Sequence, residues 1–297
     1  MSKLSPILSQ HIGNLFGVRI MRTPRFESMA SAERERDVLA RAARNFRVLT
    51  DLPLAIERIC VVAKLLRPQR AQRVQKVRVG GPHDGGYVCL DDFSNLEAAI
   101  SLGIGRDVSW DLDLAERGLI VYQYDHTVQK PPATHPNFRF SRRRIGATTD
   151  DGAETIPSII AGRRLTSPAS VIMKMDIEQD EWATFSATSA DALNVFSQVI
   201  CEFHDFQNAL DDQWFARAVA VLNKLNEAFA VVHVHGNNID PLLVAGNLLF
   251  PQVLEVTYAS KVKYAFGETD EVFPGKFDAP NVPTAADYGL GRFIYPT

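Results

Sequence analysis

Asp176, Glu178, Glu202, His204, His233 and His235 are the residues whose types and spacing could do chemistry together. Glu202 and His204 stand two apart, as do His233 and His235, so in extended backbone each pair points to one side. Carboxylates beside imidazole can move a proton or hold Mg²⁺ or Mn²⁺, and an imidazole ligand leans toward Mn or Zn. Asp176, Glu202, His204 and His235 therefore form a candidate metal set. The structural alternative is that Asp176 bonds its own loop and His235 caps a turn with Asn237. A second grouping is Ser101-Leu102-Gly103-Ile104-Gly105-Arg106-Asp107, with Asp125 about 20 residues past the glycines. Gly103 and Gly105 allow close backbone approach to a ligand, and an acid so placed in a nucleotide fold holds ribose hydroxyls. The third glycine of a dinucleotide GxGxxG would fall at Val108, and no Tyr-x-x-x-Lys pair exists. A ribose-and-adenosine site without a pyrophosphate cradle suits S-adenosylmethionine better than NAD.

Strands must position these residues. Seven apolar runs read as strands: 98–102, 119–124, 138–142, 170–175, 198–203, 230–234 and 253–258. Segments of helix length separate most of them, which argues α/β with a mostly parallel sheet covered on both faces. Val171-Ile172-Met173 and Val199-Ile200-Cys201 are continuous apolar runs, as strands buried on both faces are. Asp107 or Ser109 would cap a helix ending near Arg117, with Gly118 just beyond. Ligands of such sheets bind outside the strands' carboxyl ends, where Gly103, Gly105, Asp125, Asp176, Glu178 and His204 fall. Residues 1–75 read as a helical extension and 76–297 as the main domain. In the extension, Ser31 would cap a helix bearing Val38, Leu39, Ala42, Ala43 and Phe46 on one face. Asp51 would cap a second helix, with Pro53 in its first turn and its end before Pro68.

Lys174-Met175-Asp176-Ile177-Glu178-Gln179-Asp180-Glu181-Trp182 resembles the K-x-D-x-E-G-x-E-W/Y motif of the FkbM-like S-adenosylmethionine-dependent methyltransferases. The resemblance also takes in Asp84-Gly85-Gly86-Tyr87-Val88, the glycine–acid pairing, Cys201-Glu202-Phe203-His204, His233-Val234-His235-Gly236-Asn237-Asn238 and Leu254-Glu255-Val256-Thr257-Tyr258, spanning roughly residues 77–260. It implies a class I methyltransferase fold, a Rossmann-like, doubly wound, seven-stranded sheet with its last strand antiparallel. It further implies methyl transfer to a hydroxyl of a sugar, glycan or related secondary metabolite. Gly103, Gly105 and Asp125 would hold the cofactor, and Asp84, Gly85, Gly86 and Tyr87 would form a lip over it. Ile145-Gly146 would flank adenine, and Asp176 would meet the cofactor's other end. His204 is then the first candidate base, with Asp176 and Glu178 beside it, because a sugar hydroxyl needs a base or a Lewis-acidic metal, Mg or Mn. Gln179 stands where the motif has Gly; if that turn needs φ > 0, Gln adopts it at a cost of order 1 kcal/mol. Two other readings are an NAD(P)-dependent oxidoreductase and a catalytically inactive methyltransferase fold serving as a binding module.

Trp182 should pack its helix onto the sheet and Trp110 should fill core, while Tyr87 suits either pocket or core. Asp111-Leu112-Asp113 reads as a solvated helix face. Of Arg142-Arg143-Arg144, at most two could bind an acidic substrate group together. The chain has 297 residues, 46% hydrophobic and 23% charged, a composition that excludes fibrous, disordered and disulfide-scaffold classes. Residues 1–80 hold 16 Lys and Arg against 6 Asp and Glu, and the remainder 16 against 29. That asymmetry suits either a solvated helical face or a polyanionic partner, and peripheral contact with an anionic membrane is the form expected. No zinc-finger or RNA-recognition signature supports nucleic acid. Cys60, Cys89 and Cys201 form no CxxC pair, which suits small buried thiols in a reducing compartment. A cytoplasmic enzyme is expected, with no secretory signal or membrane span and with homodimerisation open to the helical extension.

Overall fold

A computed structural model of the chain describes residues 46–150 and 152–296. Seven strands make its central mixed sheet: β1 (Ala98–Leu102), β2 (Ile120–Tyr124), β3 (Phe138–Ser141), β4 (Val171–Met175), β5 (Phe196–Phe203), β6 (Phe229–Gly236) and β7 (Leu254–Ser260). They are the seven apolar runs of the sequence, with ends shifted by at most two residues. Their order is β6-β7-β5-β4-β1-β2-β3. Neighbours from β3 to β5 pair parallel, and β7 is antiparallel to both β5 and β6. The architecture is α/β, in an order compatible with a Rossmann-like fold.

Among the described residues six helices accompany the sheet: α1 (Leu52–Leu65), α2 (Ser109–Glu116), α3 (Ile156–Arg163), α4 (Glu181–Ala187), α5 (Ala190–Leu193) and α6 (Asp212–Ala228). Strand alternation divides the core. Val171, Met173 and Met175 of β4 face a large cluster that includes α1, α4 and α6, while Ile172 faces a smaller one with Trp110 and Leu114 of α2. Asp51 caps α1 by accepting from Leu54 N, with Pro53 in the first turn. Asp107 Oδ1 accepts from Ser109 N at 2.6 Å at the start of α2, and Gly118 follows that helix with φ +94°.

The helix expected from Ser31 lies outside the described residues. Phe46, expected on its face, instead opens a strand, Phe46–Val48, that pairs with Leu242–Ala245. Residues 46–75, expected within a separate extension, share one compact unit with the sheet, because Ile59, Val62 and Ala63 of α1 bury against the core beside α6. The solvated face expected at Asp111-Leu112-Asp113 is corrected at its first residue. Asp111 is fully buried, accepting from Ser101 Oγ at 3.2 Å and Gln123 Nε2 at 2.8 Å. Those polar residues of β1 and β2 point inward under α2 and satisfy the acid. Cys89 and Cys201 are buried and Cys60 half-buried, all as free thiols. Among the described residues no helix is long and apolar enough to cross a membrane.

Candidate active site

A cleft of about 330 Å³ opens at the carboxyl ends of β1, β2 and β4, within the size range of small-ligand sites. From β1 the chain enters Gly103-Ile104-Gly105. Gly103 has φ +76°, and a Cβ there would lie 1.7 Å from Asp176 O, so only glycine lets the turns after β1 and β4 touch. Gly105 has φ +48° with open space beside it. Asp125, following β2, locks this turn. Its Oδ2 accepts from Ile104 N at 3.0 Å and Gly105 N at 2.9 Å, and its Oδ1 from Thr127 N and Oγ1, both at 2.7 Å. Burial acts to raise the carboxyl's pKa, but these donors prevail and hold it below the usual carboxylate range. The sequence assigns Asp125 to ribose; in the structure it lines the cleft and also closes the glycine turn, with two of the chain's own donors on each of its oxygens.

The opposite wall follows β4. Lys174 is buried and donates from Nζ to Gly103 O at 2.6 Å. Asp176 lines the cleft, and its Oδ1 is buried with no donor. Glu178 and Gln179 have φ +57° and +84°, so Gln179 does take the left-handed conformation. Glu181 holds that turn: its Oε1 accepts from Ile177 N at 3.1 Å and Gln179 N at 3.3 Å. Asp84, Gly85, Tyr87, Ile145 and Glu178 also line the cleft. Gly86 is not among its lining residues; it is buried against Gly81, whose carbonyl oxygen a Cβ would meet at 1.9 Å. Gly146 is likewise outside, donating to Glu154 O at 3.0 Å. Of the three arginines, Arg143 and Arg144 reach the cleft, and Arg144 pairs with Asp180 at 3.1 Å.

Behind Asp176 stands His204, just past β5. Its Nδ1 is 3.1 Å from Glu181 Oε1, and its Nε2 is 3.4 Å from Glu202 Oε1 and 3.7 Å from Glu178 Oε2. Trp182 of α4 donates from Nε1 to His204 O at 2.8 Å, tying the two elements together. Burial alone would lower the imidazole pKa; hydrogen bonds and charges of Glu181 and Glu202 outweigh it and push it up to about 11. Burial raises Asp176 to about 6 against the pull of Lys174 and His204. Burial and the charge of Asp176 raise Glu202 to about 8.

Single ligand atoms of Asp176, Glu181 and His204 lie within 4.8 Å of one another. Asp176 Oδ1, Glu181 Oε2 and Glu202 Oε2 are all buried without a donor. Unsatisfied buried carboxylate oxygens beside an imidazole form a donor set that a hard divalent cation would satisfy. Of the four expected ligands, Asp176 and His204 come together, and Glu202 touches His204 while also accepting from Asn237 Nδ2 at 3.1 Å. His235 stands apart. Its Nδ1 is 3.1 Å from Glu255 Oε2 and its Nε2 3.0 Å from Asp287 Oδ1. The reason is topological: β7 lies between β5 and β6, so Glu255 is in register with both Glu202 and His235 and separates them. His233 is also committed, its Nδ1 accepting from Lys76 Nζ at 3.3 Å and its Nε2 donating to Asp278 Oδ1 at 2.7 Å. Burial lowers its pKa despite Asp278, in keeping with a neutral ring.

Sequence reasoning missed Lys174, Glu181 and Glu255 as site residues. Each carried a signal, since Lys174 and Glu255 are charges inside apolar strand runs and Glu181 belongs to the acidic motif. Asp287 and Asn281, which donates to Glu255 Oε1 at 2.7 Å, had none, because only the fold brings the last 30 or so residues here. Compared with protein-family models and with curated proteins, the chain matches none.

Proposed function

We propose that this chain is an S-adenosylmethionine-dependent O-methyltransferase acting on a hydroxyl of a sugar, glycan or related metabolite. The observation that carries the reading is the meeting, at Asp176, of the Gly103–Gly105–Asp125 cleft and the Glu181–His204 cluster. The cleft is lined by apolar Ile104, Ile145 and Ile177 together with Asp84, Tyr87, Lys174 and Asp176, a mixture that suits an adenosine joined to a charged amino-acid moiety. The resemblance of the motifs around these residues supports the same cofactor.

That cofactor supplies a methyl group already activated on a sulfonium. The protein's own work is alignment of the acceptor oxygen and removal of its proton. His204, flanked by three carboxylates, carries a proton at neutral pH and is a poor base in this state. The base is therefore Asp176. Asp176 lines the cleft, and a carboxyl with pKa near 6 is ionised at pH 7 yet still basic enough to accept a proton. The chain's own step is acceptance of the acceptor O–H proton at Asp176, which would leave the oxygen free to take the methyl group that the cofactor would supply. His204 and Glu181 position Asp176 and its turn. Asp176, Glu181 and His204 are the residues that would hold a divalent cation, Mn²⁺ more readily than Mg²⁺ given the imidazole, and its chemistry would be Lewis-acid activation of the acceptor hydroxyl.

The test is methyl transfer from labelled cofactor to a panel of sugars and glycans. Asp176→Asn is expected to lose at least about a hundredfold in kcat at saturating cofactor. Turnover unchanged in that variant removes Asp176 as base, and no methyl transfer to any acceptor favours the binding-module reading.

A further inference from the structure

The geometry points to a second surface, remote from the cleft, that docks the protein on an anionic phospholipid membrane. The segment that leaves α1 is laid along the outer edge of β6, where Gln69 N donates to Val231 O at 2.7 Å and Arg70–Ala71 pairs with Phe266–Gly267. Cations recur along it every third residue, at Lys64, Arg67, Arg70, Arg73 and Lys76. Two hollows flank the short ladder. One, of about 550 Å³, is lined by Lys64, Arg67 and Lys261, with Glu268 as its single acid. The other, of about 420 Å³, is lined by Arg70, Arg73 and Lys276, with Lys76 tied to Glu271. Gly267 lines the first hollow and its ladder partner Arg70 the second, so the two form one continuous face.

Lys64, Arg67, Arg70, Arg73, Lys261 and Lys276 are all exposed, and among the described residues none makes an ion pair. Among the residues lining the two hollows these six cations face one unpaired acid, Glu268, and the exposed Asp91, Glu227 and Asp270 on adjoining segments reduce the positive excess without reversing it. The face also carries apolar points. Val262, 76% exposed, stands at a turn between Lys261 and Lys263, and two further exposed valines adjoin lining residues in sequence, Val61 one turn before Lys64 and Val272 next to Glu271. Apolar residues set between cations suit a lipid headgroup boundary, where the cations meet phosphate and serine carboxylate and the valines enter the interface. A single-stranded nucleic acid would want exposed rings to stack on, and the aromatic residues here, Phe266 and Phe277, are half-buried. This inference does not rest on the proposed methyl transfer.

Flotation of the full chain with phosphatidylcholine vesicles, with and without about one-third phosphatidylserine, tests it at low salt. The chain is expected to float only with the anionic vesicles and to be released by high salt. Arg67→Glu/Arg70→Glu/Arg73→Glu should weaken binding about a hundredfold, roughly fivefold for each cation lost. Val262→Asp, a single change at an exposed tip, should weaken it with little risk to folding, and melting curves of both variants should match the wild type. A control, Arg19→Glu/Arg22→Glu/Arg25→Glu, carries the same charge change in the basic segment before residue 46. Undiminished flotation of the face variants overturns the inference, as does loss of flotation in the control alone. Equal binding to neutral vesicles, or capture by a short single-stranded RNA with no vesicle binding, overturns it too.

Discussion

Replacing Asp125 with Ala removes the acceptor for Ile104 N, Gly105 N, Thr127 N and Thr127 Oγ1 in one step. A hydrogen bond to a charged group contributes about 1.5–3 kcal/mol, but the four do not add. Gly105 and Thr127 line the cleft, so water can reach part of the vacated space, and the variant no longer bears the cost of burying a carboxylate. The Ile104 amide, in a buried residue, loses its partner outright. A net loss of about 3 kcal/mol follows, which for a domain of this size lowers the melting temperature by about 6–12 °C. Asp125→Asn keeps one oxygen for the glycine turn but turns its NH₂ toward the Thr127 amide, so it should fall between wild type and Ala. The pH dependence gives an independent check. Asp125's folded pKa lies below its unfolded value, so its contribution is complete above about pH 4 and is lost as pH falls through the folded value. Urea melts of wild type and both variants from pH 3 to pH 7 should show the gap between wild type and Ala closing toward acid. A melting temperature for Asp125→Ala within about 2 °C of wild type would refute the reasoning that this carboxylate locks the turn.

Further outcomes follow from the same geometry. Gly105→Ala, with open space around the new methyl, should cost about 1 kcal/mol, whereas Gly103→Ala drives into Asp176 O and should unfold the cleft or abolish ligand binding, as urea melts and ligand titration will show. Thr127→Val frees a lone pair on Asp125 Oδ1, so S-adenosylmethionine affinity by calorimetry should hold within about threefold or tighten; a tenfold loss would contradict this and assign the Thr127 hydroxyl itself to the cofactor. Mn²⁺ affinity should rise with pH, because the ion must displace the His204 proton held up to about 11, and Glu181→Gln should abolish tight binding; calorimetry in two buffers reads the released proton. His235 is pushed up to about 10 because the charge of Glu255 and the bonds to Asp287 and Glu255 outweigh burial. Its stabilisation is complete below about pH 6.5 and is lost as pH rises through 10, so His235→Gln should flatten the alkaline limb of stability against pH.

Hydrophobic runs and glycine placement were enough to read the seven strands and the cleft between the turns after β1, β2 and β4, because both faces of the sheet are buried and the runs are long and apolar. Side-chain pairing across the sheet was not readable. The alternation of Glu202 with His204 and of His233 with His235 correctly gave each pair one side, but not the insertion of β7 between them, which takes His235 away from the cluster. Spacing placed Asp125 in the cleft without showing that Ile104, Gly105 and Thr127 would fill its oxygens. Asp111 misled for a similar reason: in an isolated helix DLD is polar surface, and only its neighbours Ser101 and Gln123 make burial affordable. Nor does sequence report charge state. His204 reads as a base from residue type alone, and only the fold brings Glu181 and Glu202 beside it, which push its pKa up.

The central claim, that the cleft takes S-adenosylmethionine, is tested most directly by calorimetric titration of the full chain with that cofactor and, separately, with NAD. The account predicts micromolar binding of S-adenosylmethionine, about −8 kcal/mol, and no heat with NAD. Binding of NAD instead, or no binding of S-adenosylmethionine with or without Mn²⁺, would contradict it.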